Sequence, residues 1–168
     1  MKISMYQVSA PRFIHTLGNL SAILDKAAAH AEAKKIDPLA LTSFRLYPDM
    51  FPFTRQIQIA CDAAKGAVAR LAGVENPKHE DTEKTFEELK ARIAKTIAFI
   101  KTVKAEQIDG TEDKEIALKV GGKDLKFSGV QYLLGFAQPN FYFHVATAYN
   151  ILRHNGIEIG KTDFLGNP

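Results

Sequence analysis

A histidine in the last helical segment is the side chain best placed to do chemistry. At about 100° per residue, His144 shares one stripe of a helix with Phe141, Ala148 and Ile151. An imidazole titrates near neutral pH, so it can transfer protons, hold a ligand or bind a metal. Because a buried polar group without a partner is costly, we expect His144 to be buried and hydrogen-bonded.

The second helical segment supplies the expected partner of this histidine. Gln58 and Asp62 are four residues apart and lie together beside its apolar stripe. Either side chain would fix the tautomer and the orientation of the His144 imidazole. In the alternative arrangement, Asp62 pairs with Lys65 at the surface and His144 bonds to a backbone carbonyl. Tyr149, on the same helix as His144, is a further candidate contact for a ligand.

The single cysteine is expected to be a core residue. Cys61 lies on the apolar stripe of the second helix and has no histidine near it in sequence. One cysteine excludes an internal disulfide and fits a reducing compartment. We therefore expect a cytoplasmic protein.

Helices that position these side chains are predicted from the apolar spacing. Four segments have apolar residues three and four apart, a pattern typical of amphipathic helices. The predicted helices span roughly residues 3–35, 49–73, 83–107 and 138–155. Pro11 either kinks the first helix or marks its true start. Thr85 and Glu88 have the spacing of a capping box, with Thr85 as the N-cap.

One segment changes from a helical period to a period of two. Apolar and polar residues alternate over 116–120 and again over 125–127, with two glycines at 121–122 between them. Two glycines between alternating runs predict a β-hairpin, here at 115–128. Four amphipathic helices and one hairpin cannot form a sheet-based domain. We therefore predict one all-α domain over residues 1–168, a four-helix bundle with the hairpin inserted between helices three and four.

The composition excludes two classes of partner. The chain has 168 residues, of which 22 are basic and 19 acidic, and charges of opposite sign alternate, as in segment 87–92. That segment is typical of a solvated helix face rather than of a basic stripe, so we expect no nucleic-acid partner. No apolar run approaches the roughly 20 residues that span a bilayer, so we expect no membrane partner.

Several segments along nearly the whole chain are similar to a bacterial family of unknown function. These segments are 48–52 (PDMFP), 58–65 (QIACDAAK), 70–73 (RLAG), 139–156 (starting PNFYFH) and 160–166 (GKTDFLG). That family is grouped with the DinB/YfiT-like four-helix bundles, a superfamily associated with metalloenzymes. The resemblance implies the same bundle fold and a site inside it. Since some members are thiol-dependent transferases or isomerases, it also implies an enzyme as an alternative function.

The resemblance further implies a metal site that this chain matches only in part. In the larger group, a divalent metal is held by one histidine of the second helix and by two of the fourth, four residues apart. His144 matches the first of that pair, but Ala148 stands at the second position, and the second helix offers Gln58 or Asp62. Three protein ligands are the usual minimum for a catalytic zinc. We therefore expect no metal and no cofactor, with a divalent metal at His144 as the disfavoured alternative.

Three functions remain open from the sequence. We expect a metal-free bundle that binds a small molecule in a polar pocket formed by Gln58, Asp62, His144 and Tyr149. In the enzyme alternative, His144 acts as a general acid or base and Asp62 tunes it. In the third alternative, a structural or interaction protein, the polar residues only satisfy one another.

A homodimer is expected from the apolar loops. Residues 39–53 and 127–136 contain more Phe and Leu than connecting segments need. An excess of apolar surface often marks an interface between protein chains.

Overall fold

Four long helices pack side by side within residues 3–167, the part of the chain that the computed structural model describes. In chain order the elements are α1 (Ala10–Lys34), α2 (Pro38–Thr42), α3 (Phe53–Ala72), α4 (Phe86–Thr102), α5 (Ala105–Ile108), β1 (Glu115–Val120), β2 (Lys123–Ser128), α6 (Gly129–Tyr132), a π-helical turn (Leu133–Ala137), α7 (Gln138–His154) and α8 (Lys161–Leu165). α3 packs against both α4 and α7, and α1 packs mainly against α4. Their inward faces form one apolar core, which includes Phe13, Leu20, Ile57, Ile93 and Ile151.

The first and second long helices begin later than the sequence predicts. α1 begins at Ala10 rather than near residue 3, with Pro11 in its first turn, so the proline marks the true start. Proline suits this position because the first-turn N–H groups have no partner inside the helix. α3 begins at Phe53 rather than at 49, directly after Pro52. It ends at Gly73, whose φ of 72° only glycine adopts without strain.

The third predicted helix is two helices. The capping box at its start is confirmed, because Thr85 Oγ1 accepts from the N–H of Glu88 and Glu88 Oε2 accepts from the N–H of Thr85, at 3.2 and 3.0 Å. α4 ends at Thr102, since Val103 has an extended backbone, and the short α5 follows it. The short helices α2 and α8 were also not predicted, because five residues are too few to show a helical period.

The hairpin lies where the sequence places it. β1 and β2 pair antiparallel, with Ile116 opposite Phe127 and Leu118 opposite Leu125. The turn consists of Gly121 and Gly122, with φ of 56° and 81°, and two consecutive positive φ angles are what a two-residue hairpin turn requires. The protein is therefore an all-α four-helix bundle with a β-hairpin inserted between its third and fourth long helices.

A π-helical turn connects the hairpin to the last long helix. α6 and the turn at Leu133–Ala137 run without a break into α7, so the helical chain begins before the predicted residue 138. The N–H of Gln138 donates to Leu133 O, a bond one residue longer than in an α-helix. Pro139 follows directly and has no N–H to continue the α pattern. Within residues 3–167, no helix combines the length and hydropathy needed to cross a membrane.

Candidate functional site

His144 is buried, as the sequence predicts, and pairs with a side chain of α3. Its exposed fraction is 8%. Nδ1 of His144 lies 2.7 Å from Oε1 of Gln56, which is itself buried. The two predicted properties of His144, burial and a hydrogen bond, are therefore confirmed.

The amide of Gln56 fixes the tautomer of this histidine. Gln56 Nε2 donates to Phe51 O at 2.9 Å, so Oε1 is the atom that faces the imidazole. Nδ1 of His144 must then carry the proton that it donates to Oε1. The lone pair of the neutral ring is left on Nε2. Nε2 has no hydrogen-bond partner among residues 3–167.

The environment of His144 keeps it neutral. Burial, and then the nearby Arg55 guanidinium, lower its pKa from 6.5 to about 4. Both effects disfavour the imidazolium, because burial removes water from the charged form and a second cation repels it. At neutral pH the side chain is therefore an acceptor through Nε2 and a donor through Nδ1.

The prediction that Gln58 or Asp62 is the partner of His144 is wrong. The apolar stripe of α3 has two polar flanks, and at about 100° per residue Gln56 lies on one and Gln58 and Asp62 lie on the other. α7 packs against the flank of Gln56. The sequence does contain a signal for Gln56 as the partner of His144. Gln56 is three residues after Phe53 and one before Ile57, so it lies at the edge of the apolar stripe.

Asp62 instead binds a buried arginine of α4. The side chain of Arg92 is only 1% exposed. Its Nη2 lies 3.0 Å from carboxylate oxygens of Asp62 and of Asp81, and its Nη1 lies 3.0 Å from Glu83. The expectation that segment 87–92 is a fully solvated face is therefore wrong at Arg92, which is one of the most buried polar residues of the chain.

The charge cluster around Arg92 holds the connection between α3 and α4. Lys65, which is also buried, donates to Pro77 O at 2.5 Å and lies 3.3 Å from Asp62. Gln58 Nε2 donates to Glu83 Oε2 at 2.9 Å. Burial opposes the ionisation of Glu83, but the bonds from Gln58, from its own backbone and from Arg92 lower its pKa below the ordinary value. The predicted pair of Asp62 and Lys65 therefore forms, with its lysine inside the protein.

The remaining predicted residues, Tyr149 and Cys61, lie away from His144. Tyr149 OH donates to Ile159 O at 3.5 Å, and its ring packs against Phe164, so it faces the chain-terminal segment. Cys61 is fully buried, as expected for a core residue, and burial raises its pKa to about 12. The structure thus brings Gln58 and Asp62 together and places neither of them, nor Tyr149, against His144.

A groove of about 630 Å³ lies between α3, the hairpin and the π-helical turn. Its apolar walls are formed by Ile59, Ala63, Leu118, Val120, Tyr132 and Phe136. Its polar lining includes Arg55, Asp62, Arg70 and Asn140. Tyr132, the last residue of α6, and Phe136 of the π-helical turn stack here with ring centroids 6.1 Å apart.

The groove adjoins the pair of His144 and Gln56 through three of its lining residues. Phe51 accepts the hydrogen bond of Gln56 with its carbonyl oxygen. Arg55 is close enough to lower the pKa of His144. Asn140 lies one turn before His144 on α7.

The side chains around His144 do not fit the metal site that the resemblance implies. Ala148 has no donor atom, and Gln56 uses its oxygen to accept from Nδ1. Within residues 3–167, no three His, Cys, Asp or Glu residues are grouped so that they could hold a metal ion. A single imidazole nitrogen is a poor site for zinc.

Comparisons with known proteins agree with this architecture. The family described as "Domain of unknown function (DUF1993)" matches residues 5–165. The chain is also similar to a DinB family member protein from Shewanella denitrificans, whose crystal structure matches with a TM-score of 0.88 and 43% sequence identity. That match covers 97% of this chain and 92% of the other. Both findings confirm the resemblance to the DinB-like bundles. No curated protein matches the chain significantly.

The neutral His144 determines how stability changes with pH. Because its folded pKa of about 4 is below 6.5, the unfolded chain takes up this proton first as the pH falls. The contribution of this group to the free energy of unfolding is therefore complete above about pH 6.5 and falls by up to about 3 kcal/mol towards pH 4. Urea denaturation of the wild type and of His144→Gln at several pH values measures this pH dependence of the free energy of unfolding. We expect a smaller decline in the variant, and equal declines would contradict this account.

The buried charge cluster is expected to stabilise the chain as a unit. Arg92→Met keeps most of the apolar stem but leaves Glu83 without its cation and removes one of two cations from Asp62 and from Asp81. We therefore expect a loss of about 2–4 kcal/mol in the free energy of unfolding. Hydrogen exchange should also become faster in segment 74–85. Arg12→Met is the matched control, since Arg12 is exposed. If both variants unfold at the same urea concentration, the cluster does not have this role.

Proposed function

The chain belongs to the family described as "Domain of unknown function (DUF1993)", and on that premise we propose that it binds a small molecule in the groove between α3, the hairpin and the π-helical turn. The observation that supports this function best is the groove itself. Its volume of about 630 Å³ lies within the range of roughly 300–1,000 Å³ that is usual for small-molecule sites. Apolar and aromatic walls with a few polar groups are also typical of such sites.

His144 does not line the groove itself, but it lies one turn after the lining residue Asn140 on α7 and offers a defined polar contact to a ligand that extends past that residue. Gln56 holds the ring and leaves the lone pair of Nε2 without a protein partner. A neutral imidazole in this state accepts a hydrogen bond from an N–H or O–H group of a ligand. Of the four residues that the sequence predicts for the pocket, Asp62 lines the groove, whereas Gln58 lies outside its lining and binds Glu83. The proposed binding needs no metal.

Catalysis by His144 and Asp62 is the second candidate, and we place it behind binding. A general base that Asp62 tunes would need contact between the two side chains, but Asp62 is engaged by Arg92 and Lys65. A pKa of about 4 also makes the imidazole a weak base at neutral pH. The free Nε2 lone pair is the one observation that favours an enzyme.

A blocked groove tests the binding function. We expect a thermal-shift screen of metabolites and thiols to find at least one compound that raises the Tm, because a ligand of the folded state stabilises it by mass action. Ala63→Phe places a ring in the groove and should abolish that response. Ala94→Phe, at an exposed position of α4, should keep it. A screen without any response, or a response that Ala63→Phe retains, would overturn the proposal.

A homodimer is the second part of the proposal. Large apolar side chains are exposed in the expected loops, among them Tyr47 at 65% and Leu134 at 52%. Light scattering at micromolar concentration should therefore give about twice the chain mass of 18.6 kDa. Tyr47→Glu should shift this mass towards the monomer, because a charge at an apolar interface is costly. Leu165→Glu, exposed outside these loops, should not, and a monomeric wild type would contradict the dimer.

For the location in the cell we propose the cytoplasm. The support is compositional, because the chain has one cysteine and that thiol is buried and free. The small net charge of +3 also supports a protein without a nucleic-acid partner.

A further inference from the structure

Arg70 is a cation of the groove that has no acidic partner. Within residues 3–167, no carboxylate lies within salt-bridge distance of its guanidinium, whereas Arg55 pairs with Asp81 and Arg92 with three carboxylates. Its one hydrogen bond runs from Nη1 to Tyr132 OH, at 3.0 Å. The remaining N–H groups of its planar fork are therefore available to a ligand.

A glycine inside α3 makes room for this guanidinium. A Cβ atom at Gly66 would lie 2.4 Å from Arg70 Nη1, which is closer than any contact allows. Glycine within a helix costs about 1 kcal/mol relative to alanine. Gly66 lies in the interior of α3, where glycine is unfavourable. The space that it leaves for Arg70 explains why a glycine occupies this position.

Tyr132 holds Arg70 from the other side. Its hydroxyl accepts from Nη1, and the guanidinium lies over its ring with 6.0 Å to the centroid. Burial raises the pKa of Tyr132, so it remains a phenol. Because its oxygen accepts from Arg70, its own O–H proton is free to be donated to a second acceptor.

The other charges of the groove do not neutralise Arg70. Asp62 is the acidic residue of the lining, and it is engaged by Arg92 and Lys65. Arg55 and Lys119 add further positive charge. Lys119 is exposed and, like Arg70, has no acidic partner among residues 3–167, but only Arg70 is oriented, by its bond to Tyr132. The groove thus combines apolar walls with an unpaired, oriented guanidinium.

We propose that the ligand of this groove is an amphipathic carboxylic acid, with its carboxylate on the fork of Arg70 and its apolar body against Tyr132, Phe136 and Ile59. The inference rests on the proposed binding function and names its ligand class. A guanidinium fork matches the two oxygens of a carboxylate, and these charge-assisted bonds are among the strongest in proteins. Arg70 is the unpaired cation of the lining that a hydrogen bond orients, since Arg55 is already paired and Lys119 is exposed, so a monoanion suits the site better than a phosphate dianion.

Matched pairs of acid and amide test the ligand class. The probes are phenylacetate with phenylacetamide and hexanoate with hexanamide, each titrated by calorimetry into the wild type. We expect the acids to bind at least about tenfold more tightly than their amides, since a hydrogen bond to a charged group contributes more than a neutral one. Arg70→Gln should remove this preference, and Arg70→Lys should restore part of it, because it keeps the charge without the fork. Arg12→Gln is the control for a lost surface arginine.

The outcomes separate this inference from the proposed function. If acids and amides bind equally, if no acid binds at millimolar concentration, or if Arg70→Gln binds acids as the wild type does, the carboxylic-acid assignment is overturned. In each of these cases the metabolite screen still decides whether the groove binds a ligand. If acids bind but Ala63→Phe does not weaken their binding, their site lies outside the groove and the carboxylic-acid assignment is wrong. Urea denaturation of Arg70→Gln and Arg70→Lys measures whether the variants are folded, so that a loss of affinity is not mistaken for unfolding.

Discussion

The guanidinium of Arg92 is almost fully removed from water, and it is tolerated there because three carboxylates surround it. Removing a charge from water costs several kcal/mol, so such a group requires paired charges in close geometry. Two of these carboxylates, Asp81 and Glu83, come from the long connection between α3 and α4, which contains no helix or strand. The third, Asp62, comes from α3. The cluster therefore fixes the connection to the bundle, and it engages the carboxylate that the sequence offered as a partner of His144.

α3 contributes a residue to each of the three features described above, because its helical period directs different side chains to different neighbours. One flank presents Gln56 to α7, where it orients the ring of His144. The opposite flank presents Asp62 to Arg92. Between them, on the side away from the core, Gly66 leaves the space in which Arg70 lies. One helix thus contacts a neutral imidazole, a buried charge cluster and an unpaired guanidinium at different positions around its axis.

Much of the fold follows from local rules that the sequence displays. The apolar periods locate four long helices, the change to a period of two locates the hairpin, and the capping residues Thr85 and Glu88 locate a helix start. The position of His144 on its helix likewise predicts its burial.

The partner of His144 does not follow from the sequence. Both flanks of α3 have polar side chains, and only the arrangement of the bundle decides which flank meets α7. Arg92 was missed for a similar reason: an alternation of charges looks the same whether one of them is solvated or covered by a distant segment. The π-helical turn and the groove beside it depend on contacts between segments far apart in sequence.

His144 is a neutral imidazole whose Nδ1 donates to Gln56 and whose Nε2 lone pair is free. Side-chain ¹⁵N–¹H correlation spectra of ¹⁵N-histidine-labelled protein report the tautomer and the charge of each ring directly. We expect His144 at neutral pH to show a protonated Nδ1 and an unprotonated Nε2, and Gln56→Leu to abolish this preference. A proton on Nε2 in the neutral ring, or an imidazolium at neutral pH, would contradict the account.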